Sequence, residues 1–140
     1  MLEAAQAVFA ERGYQEATLE EIAERAEFGK GTLYNYFEDG KEELLFAVLA
    51  HIYDELEAMT EDLLQPEDEV DVRTLFERYI RAIIGHFLEE QEGFALLIKE
   101  AQRLAFADDA EKVAYFRRQN DRIIRHMVPP IERAVENGTL

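Results

Sequence analysis

The chain has 140 residues, and its 31 acidic side chains against 15 basic ones give a formal net charge of −16. This acid excess excludes a protein that coats nucleic acid through a broad basic surface, and it disfavours docking on anionic lipid. Cysteine is absent, which excludes disulfides and thiolate chemistry. No apolar run approaches the ~20 residues of a membrane span, and the acidic N-terminus lacks a signal-peptide layout. We therefore expect a cytoplasmic protein.

The N-terminal third of the sequence predicts three short helices. They span about 2–12, 18–26 and 30–37. Gly13 is placed to end the first helix, and Thr18 with Glu21 forms a capping-box pattern at the start of the second. A turn at 27–29 separates the second helix from the third.

The remaining sequence predicts longer helices with strong apolar faces. They span about 41–64, 72–90, the segment that follows Gly93 as far as 105, and 109–136. Asp108-Asp109 is a capping signal for the last helix, and Asn137-Gly138 is a stop signal. Pro129-Pro130 is expected to kink or locally break that helix near His126, because two amide donors are lost. No segment alternates like a half-buried strand, so the predicted fold is all-α.

The second and third helices, joined by a tight turn, are typical of a helix-turn-helix, whose second helix lies in the major groove of DNA. Leu33 and Phe37 are spaced to face the core of such a unit. The other side chains of the third helix are of types that contact bases or phosphates, namely Lys30, Thr32, Tyr34, Asn35 and Tyr36. Gly31 would let the backbone approach the duplex closely, and Lys41 could hold a further phosphate.

Residues 2–49 resemble the N-terminal domain of TetR-family transcriptional regulators. The blocks that carry the resemblance are Ala4-Ala5, Phe9, Gly13-Tyr14, Ala17-Thr18, Ile22-Ala23, Lys30 to Tyr34, Tyr36-Phe37 and Lys41 to Leu44. The resemblance implies a helix-turn-helix DNA-binding domain at 1–40 and a helical effector-binding and dimerisation domain at 41–140. It implies a homodimeric repressor that binds a palindromic operator in double-stranded DNA and is released by a small-molecule effector. We predict no cofactor. By position, it assigns DNA contacts to Thr18, Lys30, Gly31, Thr32, Tyr34, Asn35, Tyr36 and Lys41.

Several residues depart from the family pattern. Glu27 and Phe28 stand where the family turn usually has Gly and a small aliphatic residue, and Gly29 replaces the usual Ser or Thr cap. Residues 1–40 carry a net charge of −6, which predicts weak non-specific DNA binding and a modest salt dependence.

The sequence starts near the first helix and stops at Leu140, where relatives usually continue into two more helices. Dimerisation would then use the last long helix, or segments beyond Leu140.

The effector site has a weaker sequence signal, which consists of polar groups on otherwise apolar helices. The candidate residues are Tyr79, His86, Phe94, Arg103, Tyr115, Phe116, Gln119 and Asn120. Their aromatic content favours an apolar or aromatic effector. A packed core with ordinary surface polar side chains is an equally open interpretation of the same residues.

Two other function classes are alternatives to a regulator. An enzyme is disfavoured because no Ser-His-Asp order, glycine-rich phosphate loop or zinc helix motif occurs in the sequence. We therefore predict neither a catalytic nor a metal site. A helical protein-interaction adaptor that has lost DNA binding is the alternative function.

Overall fold

The computed structural model describes residues 1–38, 40–65 and 70–140, and every regular element in these ranges is an α-helix. The helices are α1 (Leu2–Glu16), α2 (Leu19–Arg25), α3 (Lys30–Tyr36), α4 (Lys41–Leu63), α5 (Val72–Glu89), α6 (Gln91–Ala105) and α7 (Ala110–Glu136). The predicted all-α fold is confirmed. None of the helices in the described part of the chain is long and apolar enough to cross a membrane.

The chain divides into two compact units. The first comprises Met1–Ile52 and Glu90–Glu100, and the second comprises Tyr53–Glu89 and Ala101–Leu140. Helices α4 and α6 therefore contribute residues to both units. The functional domain boundary between residues 40 and 41 stays a prediction.

In the first unit, α1 buries one side, with Ala5, Val8 and Phe9 almost inaccessible to solvent. Gly13 interrupts the helical backbone at φ 77° and ψ 159°, a conformation that glycine adopts without a Cβ clash. The predicted stop at Gly13 is confirmed, although one more turn follows before α1 ends at Glu16.

Both ends of α2 are closed by local hydrogen bonds. The Thr18 hydroxyl accepts from the backbone N–H of Glu21 at 3.2 Å, which confirms the predicted N-cap. At the other end, the N–H of Phe28 donates to the carbonyl of Ala23 at 2.9 Å, and that of Glu27 donates to Glu24 at 3.1 Å. This is the Schellman pattern, which requires a left-handed residue after the helix. Glu27 fills that position at φ 58°.

Helix α6 starts at Gln91, three residues earlier than the sequence predicts, so Gly93 lies inside the helix and not before it. Gly93 is buried, and a Cβ added to it would lie 2.8 Å from Nε2 of Gln6 on α1. The glycine permits close packing of two helices of the first unit, and this packing outweighs its low helix propensity.

The second unit has a core centred on Leu64, Leu75 and Tyr79, against which Met127 of α7 packs. A buried hydroxyl pair joins α4 to α5 in this core. Oγ1 of Thr60 donates to the carbonyl of Leu56 at 2.6 Å and hydrogen-bonds the hydroxyl of Tyr79 at 3.1 Å. The pairing satisfies both polar groups where water is excluded.

Helix α7 begins as predicted, because a carboxylate oxygen of Asp109 accepts from the N–H groups of Glu111 and Lys112. The predicted local break near His126 is wrong, since α7 is continuous through both prolines. Pro130 and Ala134 are buried, so packing of the last turns offsets the lost amide hydrogen bonds. The stop signal is confirmed by Gly138, which has φ 70°.

Candidate nucleic-acid interface

Helix α3 is attached to the first unit through Leu33, which is completely buried. At ~100° per residue, Gly31 and Asn35 point about 160° away from Leu33, and Thr32 and Tyr34 flank them. The anchor on one side therefore fixes which side chains face outward. All other residues of α3 are exposed.

Besides Lys30, five predicted DNA-contacting residues of α3 are exposed, and all of them except Tyr36 lie on the side away from Leu33. Gly31, Thr32 and Asn35 are exposed, and the Tyr34 and Tyr36 side chains are 41% and 67% exposed. A Cβ added at Gly31 would meet nothing within 4 Å, so the backbone is open to an approaching molecule there. A tyrosine hydroxyl, a threonine and an asparagine on one helix face can bind base edges and phosphate oxygens.

Lys30, at the start of α3, is engaged by a carboxylate of the preceding helix. Its Nζ lies 2.5 Å from Oε1 of Glu20 and 5.8 Å from the centroid of the Tyr34 ring. The hydrogen bond with Glu20 raises the pKa of Lys30, and the same bond lowers the pKa of Glu20. The sequence did not indicate this pair, because ten residues and a turn separate its members.

Thr18 and Lys41 are the remaining predicted DNA contacts, and both have structural partners. The Thr18 hydroxyl caps α2 while remaining exposed. Nζ of Lys41 donates to the Gln15 carbonyl at 3.1 Å and lies 4.6 Å from the centroid of the Tyr14 ring. In this arrangement Lys41 joins the end of α1 to the start of α4, and its contact with phosphate stays a prediction.

The two arginines of residues 1–40 pair with acids of the same segment. Arg25 forms a two-pronged pair with Glu11, with N···O distances of 2.8 and 2.9 Å, and Nε of Arg12 lies 3.1 Å from Glu21. The hydrogen bond from Arg25 lowers the pKa of Glu11. Since Lys30 is paired as well, the basic side chains of this segment are balanced locally, and a broad positive field does not arise.

The sequence that forms this helical unit matches a known protein family. Residues 1–48 match the family model for bacterial regulatory proteins of the tetR family. The fold of the TetR-family regulator PfmR from Thermus thermophilus matches with a TM-score of 0.77 at 24% identity, over 99% of this chain and 72% of PfmR. Residues 1–48 therefore form an N-terminal domain of the tetR family. A second structure, that of SmeT in complex with triclosan, matches with a TM-score of 0.69 at 26% identity, over 98% of this chain and 65% of SmeT.

Two transcriptional regulators are also similar in sequence to this chain. The HTH-type regulator YuxN of Bacillus subtilis is 28% identical over 120 residues, which cover 86% of this chain and 40% of YuxN. The activator FasR of Mycolicibacterium smegmatis is 32% identical over 99 residues, which cover 71% of this chain and 44% of FasR. The matched segment thus spans less than half the length of either relative.

Three of the effector-site candidates lie together in the second unit. The rings of Tyr115 and Phe116 are 5.4 Å apart, and Phe116 is 6.2 Å from the ring of Tyr53 on α4. Oε1 of Gln119 accepts from Nη1 of Arg122 at 2.6 Å. Burial raises the pKa of Tyr53 to about 12 and also raises the pKa of Tyr115. The cluster is aromatic, with polar groups at one side.

The other effector-site candidates are more scattered. Tyr79 is a core residue whose hydroxyl is bound to Thr60, and His86 is partly buried beside Phe87. Arg103 and Asn120 are exposed, and Phe94 belongs to the first unit. A role of these five in effector binding stays a prediction.

A polar cluster between α4 and α7 was missed at the sequence level. Arg122 donates to Glu57 and, at 2.7 Å, to Asp54, while Nε2 of His126 lies 3.3 Å from Glu57. Burial would raise the pKa of Glu57, but hydrogen bonds from His126 and Arg122 outweigh it and lower that pKa. The sequence signal for this cluster is a pair of acids spaced i, i+3 on α4 and a pair of basic groups spaced i, i+4 on α7.

Within the described ranges, no group of three or more histidine, aspartate or glutamate side chains is arranged to hold a metal ion.

Proposed function

We propose that this protein is a ligand-responsive transcriptional repressor. It binds a palindromic operator as a homodimer through α2 and α3, and a small-molecule effector releases it. The observation that carries the proposal is the face of α3, where Gly31, Thr32, Tyr34 and Asn35 are exposed opposite the buried Leu33. A dimer is part of the proposal because two reading helices match two half-sites of a palindrome.

The first experiment selects bound duplexes from random DNA with the full chain and measures their affinity. A palindromic consensus is the expected result. Replacing Lys30, Thr32 and Tyr34 together should weaken binding at least about tenfold, because base and phosphate contacts are lost. Arg117→Gln on α7 is the matched control, since it removes an exposed cation outside the first unit. Equal losses in the triple variant and the control would contradict the assignment of α3.

The direction of regulation is read by a reporter gene placed behind the selected operator. Repression predicts higher expression when the regulator is absent. FasR, a similar protein, is named an activator, so the opposite result would assign this chain to activation.

The effector is proposed to be a small apolar or aromatic molecule that binds near Tyr115, Phe116 and Gln119. Support comes from their aromatic cluster in the second unit and from SmeT, whose structure holds triclosan. A thermal-shift screen should find compounds that raise Tm, and the same compounds should weaken operator binding. Compounds that raise Tm without changing operator affinity would refute an effector role.

An interaction adaptor that has lost DNA binding is the second candidate function. It is favoured by the net charge of −6 on residues 1–40 and by the local pairing of Arg12, Arg25 and Lys30. The selection experiment separates the two functions, because an adaptor would enrich no sequence and would be indifferent to changes on α3.

A further inference from the structure

Helix α3 carries a single charged side chain. Its sequence is KGTLYNY, so Lys30 supplies the only positive charge that this helix can offer to a phosphate. The Lys30 ammonium is 2.5 Å from a carboxylate oxygen of Glu20 on α2. The Glu20 carboxylate is therefore bound to the same ammonium group that would bind a DNA phosphate.

The pair is built so that it can open. The Lys30 and Glu20 side chains are 55% and 57% exposed, and exposed ion pairs are weak because water and salt screen them. A phosphate can replace the carboxylate without disturbing the buried anchor of α3. A carboxylate that stays on the Lys30 ammonium would repel a phosphate bound to the same group, so the contact with Glu20 opposes contact between Lys30 and DNA.

We propose that Glu20 competes with DNA phosphates for Lys30 and thereby lowers the affinity of α3 for DNA. The inference rests on the proposed DNA-binding function and adds a residue that tunes it. In this arrangement Glu20 acts through Lys30, and not merely as one more negative charge near the duplex. A general electrostatic effect and a competing partner predict different results when Lys30 is removed.

Glu24 provides a matched control for Glu20. It lies one helical turn further along α2, it is exposed, and Glu24→Gln removes the same charge as Glu20→Gln. The operator duplex found by selection and a scrambled duplex of equal length are the probes. Affinities are measured for the full chain and for the variants Glu20→Gln, Glu24→Gln, Lys30→Gln and Glu20→Gln/Lys30→Gln.

The expected result is that Glu20→Gln tightens operator binding by about twofold to fivefold, a range typical of an exposed ion pair. Glu24→Gln should produce a smaller change. In the Lys30→Gln background, Glu20→Gln should give no more tightening than Glu24→Gln does. Glu20→Ala is a second variant of the same kind, and thermal melts of each variant verify that the first unit remains folded.

Three outcomes overturn the inference. Glu20→Gln could tighten binding no more than Glu24→Gln, it could tighten binding equally with and without Lys30, or it could weaken binding. In each of these cases the wild-type chain still binds its operator, so the proposed function stands. Failure of the wild-type chain to bind any duplex would instead refute the proposed function, and the inference with it.

Discussion

The left-handed residue at the end of α2 gives the sharpest stability prediction. Glu27 has φ 58° and occupies the position after the helix that the two closing hydrogen bonds require. For an L-residue this conformation costs roughly 1–2 kcal/mol, because Cβ crowds the carbonyl oxygen that follows. Glycine avoids the crowding, but its backbone loses about 0.5–1 kcal/mol more entropy on folding. Glu27→Gly should therefore raise the free energy of unfolding by about 0.5–1 kcal/mol.

Chemical denaturation and thermal melting both measure this change. For a chain of this size we expect Tm to rise by roughly 2–4 °C. Glu27→Ala is the control, because alanine removes the carboxylate but keeps the Cβ in the left-handed conformation. Glu27→Asn should lie between the two, since asparagine tolerates this region better than most residues.

The refuting result is an alanine variant that is as stable as the glycine variant. A gain shared by both would come from the lost charge, in a segment whose net charge is −6, and not from relief of backbone crowding.

Three further predictions concern the second unit and DNA binding. Tyr79→Phe should lower the free energy of unfolding by about 1 kcal/mol in urea titrations, because the buried Thr60 hydroxyl loses a partner; an unchanged value would contradict this role. The lowered pKa of Glu57 favours the folded state above its unfolded pKa of about 4.3, and this stability is lost as the pH falls through the lower folded pKa. Glu57→Gln should therefore flatten stability against pH in that acid range, whereas a curve parallel to wild type would refute the assignment. The log–log salt slope of operator affinity should be well below the ~10 of a strongly basic repressor, because few phosphates are neutralised; a slope near ~10 would contradict it.

The sequence predicted the elements whose signals are local. The bounds of α3 and α4, the Thr18 and Asp109 caps and the stop at Gly138 follow from residue spacing and cap chemistry, which do not depend on distant parts of the chain. The outward face of α3 was predictable for the same reason. Leu33 is the buried residue of α3, whereas Phe37, which the spacing also assigns to the core, is the partly buried C-cap of that helix.

Features that depend on tertiary contacts were not predictable. Gly93 is read from sequence as a helix breaker, but packing against Gln6 places it inside α6. The pairing of Lys30 with Glu20 depends on the angle between two short helices, which no spacing rule provides. Tyr79 has an aromatic ring and a hydroxyl, as residues that line ligand pockets often do. Only its hydrogen bond with Thr60 on another helix identifies it as part of the core.

The open space at Gly31 has a consequence for how variation at this position would be observed. No neighbour restrains a side chain there, and alanine favours a helix over glycine by about 1 kcal/mol. We therefore expect Gly31→Ala to stabilise α3 while adding a methyl group to the surface that we propose contacts DNA. A mutational survey scored by protein level would rank residue 31 among the tolerant positions, and one scored by promoter occupancy would rank it among the intolerant. That divergence would separate selection for contact with DNA from selection for folding at a single glycine.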